Sequence, residues 1–244
     1  MFVQSLGCGD AFGSGGRLNS CFFIRTKTHG ILLDCGASVM IALKKQHLSG
    51  ADVDIILITH LHGDHFGGLP FFICEIIAMG NRKKPLTIIG PAATEERARQ
   101  ALEIFFPGVS VQEDTPVTFL TYVPKQMLEF QSLQITAYEA IHSPATNPHS
   151  LRLEIENTVI AYSGDTEWSD TLIDMSMNAD LFICEASTWN TPVKHHLSVQ
   201  TVMAQLHRIH AKRTVLTHLG DEALRHVNDI PLTIATDGMI LVDE

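Results

Sequence analysis

The chain has 244 residues, 45% of them hydrophobic, with 27 acidic against 17 basic side chains and a formal net charge of −10. That is enough apolar chain to bury a substantial core, and with no stretch that reads as a linker, one domain over residues 1–244 is the simplest organisation. The acidic balance excludes a protein whose whole surface is a landing site for nucleic acid. No apolar run approaches a membrane span and Met1–Leu6 has no basic leader, so a cytoplasmic protein without a membrane partner is expected.

Phe2 to Leu6 reads as a first strand running into a stretch from Gly7 to Ser20 that holds five glycines, a loop and not a helix. Its spacing fits neither the dinucleotide nor the Walker pattern, so a phosphate cradle and a plain tight connection between strands both remain open. Cys21–Thr26 and Ile31–Leu33 read as two strands joined by a hairpin turn over Lys27–Gly30. Asp34 follows, placed where it could cap a helix over Ser38–Gln46. His29 and His47 stand alone in polar surroundings and read as surface residues.

Ile55 to Ile58 is a β-branched apolar run that reads as a fully buried strand. It stops at Thr59, after which His60, His62, Asp64 and His65 arrive within six residues. Burying one neutral imidazole is routine, but packing three with a carboxylate at one strand exit calls for a divalent cation. Imidazole and carboxylate donors suit zinc, manganese or iron. Four ligand-type side chains from one loop exceed what a single catalytic ion takes while keeping a position open for water. Two ions follow, needing roughly three further ligands, one of them bridging.

Beyond the loop, Phe66–Met79 is apolar enough for a buried helix ended by Gly80–Asn81, Leu86–Gly90 is a strand, and Thr94 starts an amphipathic helix that stops before Pro107. The Arg97, Arg99, Glu95, Glu96 and Glu103 side chains of that helix read as a solvated face. Val117–Val123, Met127–Phe130 and Leu133–Tyr138 are short strands, and His142 follows the last of them. A hairpin of Leu151–Ile155 and Val159–Tyr162, turning at Glu156–Asn157, delivers Asp165. Asp180–Cys184 is a strand leading to Glu185; Ser198 reads as the N-cap of a helix through Arg208, just after His195 and His196. Arg213–Leu216 is a last buried strand that exits at Thr217–His218, repeating the strand-Thr-His pattern of Ile55–His60. His207, His210 and His226 read as surface histidines. The five cysteines are odd in number and scattered without a C-x-x-C pair, which points to buried reduced thiols and neither a disulfide framework nor a thiolate zinc site.

His60-x-His62-x-Asp64-His65, in order with His142, Asp165 and His218, resembles the metallo-β-lactamase superfamily in its tRNase Z and phosphodiesterase branch. The resemblance implies an α/β fold, the four-layer αβ/βα sandwich, and two divalent metal ions, zinc with manganese or iron as alternatives. His60, His62 and His142 would hold one ion, Asp64, His65 and His218 the other, and Asp165 would bridge. It sets Asp34 behind the metal histidines as an orienting residue. Arg17 or Asn19 of the glycine-rich loop would face substrate. Glu185-Ala186-Ser187 resembles the His-Glu-Ala-Thr loop of tRNase Z with Cys184 in place of its histidine, and His196-Leu197-Ser198 resembles the His-Ser-Thr loop. Catalytic roles are thereby implied for Asp64, for His196 in proton transfer, and for Glu185 as its orienting partner. Asp165 argues against true β-lactamases, many of which carry cysteine there, and His62 against flavin-linked redox members, which carry a carboxylate. Residues 236–240 resemble the family's last strand. Family members are often dimers, so a homodimer is expected.

Two cations so placed would ready a water for attack and neutralise charge on a phosphoryl or acyl oxygen, a constellation built for hydrolysis. Phosphodiester cleavage is the favoured reaction, because the Glu185 and His196 loops resemble nucleases and cyclic phosphodiesterases. Asp165 follows His142 by 23 positions, whereas bacterial tRNase Z inserts a long tRNA-gripping arm between these motifs. A small anionic substrate such as a cyclic phosphate or nucleotide is therefore expected, with RNA, as in a tRNase Z-like 3′-endonuclease, still open. A thioester or lactone hydrolase would share all seven ligands without needing His196. A non-catalytic binding module is disfavoured, because every ligand position is intact.

Overall fold

The computed structural model describes residues 1–80, 82, 84–112 and 115–243; Asn81, expected at a helix end, lies outside them. The chain separates into two compact units, Met1–Gly7 with Leu18–Thr121 and Asp237–Glu244, and Cys8–Arg17 with Tyr122–Thr236.

The first unit holds β1 (Phe2–Gly7), β2 (Cys21–Arg25), β3 (Gly30–Leu33), β4 (Ile55–Leu57), β5 (Leu86–Gly90) and β6 (Val117–Thr121), with helices α1 (Val39–Lys45), α2 (Gly63–Phe66), α3 (Leu69–Met79) and α4 (Thr94–Phe105). The second holds β7 (Met127–Phe130), β8 (Leu133–Glu139), β9 (His149–Ile155), β10 (Thr158–Tyr162), β11 (Leu181–Glu185), β12 (Thr214–Thr217) and β13 (Thr233–Ile234), with α5 (Thr171–Ser176), α6 (Val199–Gln205) and α7 (Asp221–Leu224). The last strand, β14 (Ile240–Asp243), returns to the first sheet. Among the described residues the strands form two mixed seven-stranded sheets, ordered β14-β1-β2-β3-β4-β5-β6 and β13-β12-β11-β10-β9-β8-β7.

In the first unit β3, β4, β5 and β6 pair parallel while β14, β1, β2 and β3 pair antiparallel. Every residue of β4 is buried, as its unbroken Ile-Ile-Leu run requires of a strand covered on both faces. Leu32, Ile56 and Ile88 of the sheet share one core with Leu43 of α1, Phe72 and Ile73 of α3 and Leu102 of α4. The helix expected over Phe66–Met79 begins later, because the chain makes the short α2 and breaks at Gly67–Gly68 before α3 starts with Pro70 in its first turn. A Cβ at Gly67 would run into the Gly63 carbonyl and one at Gly68 into that of Gly36, approaches that only glycine permits.

In the second unit β7 to β10 pair antiparallel and β10 to β13 parallel. Glu156 and Asn157 between β9 and β10 both have positive φ, 49° and 65°, the two-residue connection that matches the twist of a tight hairpin. Ser198 caps α6, its Oγ accepting from Thr201 N–H. Past Gln205 that helix tightens to a 3-10 turn over Leu206–Arg208. Its Val199 and Val202 pack with Phe182 and Leu216 in a second core. Residues 236–240, expected as a strand, instead turn at Gly238 with φ 85°, and pairing with β1 starts only at Ile240. Among the described residues no helix is long and apolar enough to cross a membrane.

Cys8, Cys21, Cys35 and Cys184 are buried and Cys74 is half-buried. Burial, reinforced by the charge of Asp34 for Cys21 and of Glu185 for Cys184, pushes these two thiols and that of Cys35 far above the ordinary range. In the native protein Cys74 is expected to react first with an aromatic disulfide reagent at pH 8, and the buried thiols only on unfolding. Rapid release of more than one thiol per chain without denaturant would contradict that burial.

Candidate metal centre

The first unit carries one group of ligand-type side chains. Thr59 and His60 leave β4 still fully buried, and Asp34, held at φ 58° at the end of β3, is buried behind them. Asp34 does not cap α1, whose N-terminus has no side-chain cap. Its Oδ1 accepts from Thr59 N–H at 2.8 Å, and Thr59 Oγ1 donates to the same carboxylate from 3.0 and 2.9 Å. Asp34 Oδ2 lies 2.6 Å from His65 Nδ1. A carboxylate only accepts, so the network puts the His65 proton on Nδ1. The single Thr59 hydroxyl proton is committed to Asp34, so Thr59 Oγ1, 3.0 Å from His60 Nδ1, accepts from that ring. Both histidines thereby present Nε2 as a lone pair.

His65 Nε2 faces Asp64 Oδ2 at 3.3 Å, acceptor against acceptor, in a buried place. A cation between such groups removes the repulsion and supplies the missing partner, so the donor set fits a divalent metal. His60 packs its ring 4.1 Å from that of His65 and 5.0 Å from that of His62, and the ligand atoms of His60 and His62 lie within 4.8 Å of each other. Asp34→Asn keeps an acceptor for Thr59 but turns an amide N–H toward His65 Nδ1, which drives the ring proton to Nε2. A tenfold to hundredfold loss of metal affinity, on the order of other outer-shell substitutions, is expected in competition with a chromogenic chelator. Parental affinity in a folded variant would contradict the tautomer.

The second unit carries a group of its own, at the ends of neighbouring strands, where α/β proteins keep their chemistry. His142 follows β8, Asp165 follows β10, Glu185 ends β11 and His218 follows β12; all four are buried. His142 Nδ1 donates to the His195 carbonyl at 2.7 Å, leaving Nε2 3.9 Å from Asp165 Oδ2. His218 Nε2 lies 3.5 Å from the same oxygen. His196 stacks on His218 with centroids 5.5 Å apart, and its Nδ1 donates to Glu185 Oε1 at 3.1 Å. Glu185 Oε1 also accepts from Thr166 N–H at 2.7 Å, while its buried Oε2 has no hydrogen-bond partner among the described residues. Burial pushes the Glu185 carboxyl up. Burial also disfavours the His196 imidazolium, but the hydrogen bond and charge of Glu185 with the charge of Asp165 outweigh it and raise that pKa.

One bond is seen at each of the two residues expected to face substrate. Arg17 donates to the Ala235 carbonyl at 3.0 Å, and the Asn19 backbone N–H donates to Ser38 Oγ at 2.8 Å. Two residues that sequence reasoning passed over lie beside the candidate ligand His142: the His195 carbonyl holds its ring, and Glu167 Oε1 accepts from His195 N–H at 2.7 Å. A backbone acceptor leaves no trace in residue type, and Glu167 shows none beyond standing two places after Asp165.

The family described as Anti-Pycsar protein Apyc1 matches residues 1–236. Among curated proteins, ribonuclease Z of Clostridium novyi (strain NT) is 27% identical over 277 residues, covering 89% of this chain and 88% of that protein. Ribonuclease Z of Clostridium beijerinckii is 38% identical over 94 residues, covering 38% of this chain and 30% of that protein, so this match spans less than a third of the relative. Among solved structures, the metallo-β-lactamase fold protein YhfI from Bacillus subtilis superposes with a TM-score of 0.81 at 22% identity, covering 98% of each chain. That likeness establishes the fold.

Proposed function

The chain belongs to the Anti-Pycsar protein Apyc1 family and has the metallo-β-lactamase fold, and on that premise we propose that it is a metal-dependent phosphodiesterase acting on a small or flexible cyclic phosphodiester. In this reading His60, His62, Asp64, His65, His142, Asp165 and His218 are its ligands for two divalent ions, zinc or, in its place, manganese or iron. Bound ions supply the Lewis acidity that readies a water for attack and offsets charge on the phosphoryl oxygens. The chain's own residues orient and protonate. Asp34 and the His195 carbonyl fix the histidine tautomers, and His196 delivers a proton to the leaving oxygen while Glu185 holds its Nδ1.

The observation that carries this reading is the Glu185–His196 pair, 3.1 Å apart, beside the Asp165 carboxylate. A thioester hydrolase has less use for such an acid, because its thiolate leaving group departs more readily than an alkoxide. Two features support a small substrate. Between His142 and Asp165 the chain makes a 3-10 turn at Pro144–Thr146 and the β9–β10 hairpin, with no room for an inserted arm. An open hollow of about 460 Å³ is walled by His142, Pro144, Asn147 and His149, in the size range of small-ligand pockets. RNA 3′-end cleavage is the second reading, supported by the ribonuclease Z relatives.

A turnover screen over cyclic nucleotides, cyclic phosphoribosides, tRNA precursors and lactones, each with zinc and with manganese, tests the assignment. Higher kcat/KM on a cyclic phosphate than on any tRNA precursor or lactone is the expected result. Turnover confined to a tRNA precursor favours the second reading, and turnover confined to a lactone overturns both.

A further inference from the structure

We propose that Glu167 is a positioning residue for His142, acting through the backbone of His195. This role rests on the reading above that His142 is a metal ligand. His142 has one ring nitrogen to offer a cation only if the other keeps its proton, and the group that fixes that proton is the carbonyl oxygen of His195, 2.7 Å from Nδ1. His195 sits at φ 74°, in the left-handed region that a non-glycine residue adopts only when its surroundings hold it there. Those surroundings are Glu167: its Oε1 accepts from His195 N–H at 2.7 Å and lies 3.6 Å from His195 Nδ1. His195 follows the exposed stretch Thr191–Lys194, so this bond is what fastens the end of a surface loop at the place where its next carbonyl turns inward.

Glu167 is itself tied to the segment that carries the ligand. Its backbone N–H donates to the Ile141 carbonyl at 2.9 Å, and Ile141 N–H donates to Thr166 Oγ1 at 2.9 Å. Glu167 therefore links the strand end before His142, through its backbone N–H, to the loop that accepts from its ring, through its carboxylate. The neighbouring loop residue is held the same way, since Glu185 Oε1 takes the His196 Nδ1–H. Two glutamates clamp two consecutive histidines. One histidine presents a carbonyl to the ligand ring, and the other presents its own ring beside Asp165.

The experiment compares Glu167→Ala, Glu167→Gln and His195→Gly with the parent for zinc and manganese affinity, by competition with a chromogenic chelator, alongside the thermal melt of each metal-free protein. Glu167→Ala is expected to bind metal about tenfold more weakly, in line with lost outer-shell partners. Glu167→Gln keeps a carbonyl oxygen for the His195 N–H and is expected to restore the affinity. His195→Gly keeps the carbonyl, suits the positive φ and is expected to bind as the parent does. Parental affinity in a folded Glu167→Ala protein overturns the proposal. So does a His195→Gly protein as weak as Glu167→Ala, because the imidazole and not the carbonyl would then carry the effect. A parent that binds neither metal removes the premise and the proposal together. A parent that binds metal but cleaves no phosphodiester refutes the proposed function and leaves the affinity comparison to decide this role.

Discussion

Asp165→Ala is expected to lower phosphodiester turnover by about a thousandfold or more, with the fold retained and metal content per chain reduced. The size follows from how much converges on one oxygen: Asp165 Oδ2 lies 3.5 Å from His218 Nε2, 3.9 Å from His142 Nε2 and 4.0 Å from His196 Nδ1. With the carboxylate gone, His142 and His218 would lose the negative group proposed to bridge their two ions, and a small alanine cannot replace it. Charge stabilisation worth about 4 kcal/mol corresponds to roughly three orders of magnitude in rate. Turnover of a cyclic nucleotide with elemental analysis of the same preparation checks the result. A variant within tenfold of the parent would show that Asp165 holds nothing the reaction needs.

Asp165 was legible in the sequence because the residues around it announce a strand end: Thr158–Tyr162 is an apolar hairpin arm, and the polar cluster begins where it stops. The same holds for His60 after β4 and His218 after β12, where buried aliphatic runs end in Thr-His. Local pattern suffices there because period, burial and ligand chemistry lie in one short window. Asp34 was legible only as a choice between helix capping and histidine orientation. The bonds that decide it reach 25 and 31 positions along the chain, to Thr59 and His65. The break between α2 and α3 depends on Gly68 meeting Gly36, a tertiary contact with no local signal. The bond from Arg17 to the Ala235 carbonyl, 218 positions away, likewise lies beyond any local pattern. The short α5 and α7 escape the reading because a single helical turn or two shows no period.

His196→Ala is the second large effect, expected to cost between about a hundredfold and ten thousandfold in kcat on a substrate whose leaving group is a ribose oxygen. An alkoxide departs badly without a proton, so an acid within reach is worth most there. An aryl phosphodiester releases a stabilised phenolate and is expected to lose far less. The contrast between the two substrates in one variant separates lost proton delivery from lost folding or lost metal, either of which would depress both rates together. The geometry supports the division of labour: His196 commits Nδ1 to Glu185 and keeps its ring 21% exposed, so Nε2 is the atom left to face a bound ester. Glu185 is 1% exposed and accepts from both His196 and Thr166, so its work is to hold the ring. Glu185→Gln keeps one carbonyl oxygen able to accept from both His196 and Thr166 but removes the negative charge, and its loss on the ribose ester is expected to be smaller than that of His196→Ala. Equal losses on the alkyl and aryl substrates in His196→Ala would remove the general-acid role and with it the main reason to prefer phosphodiesters over thioesters.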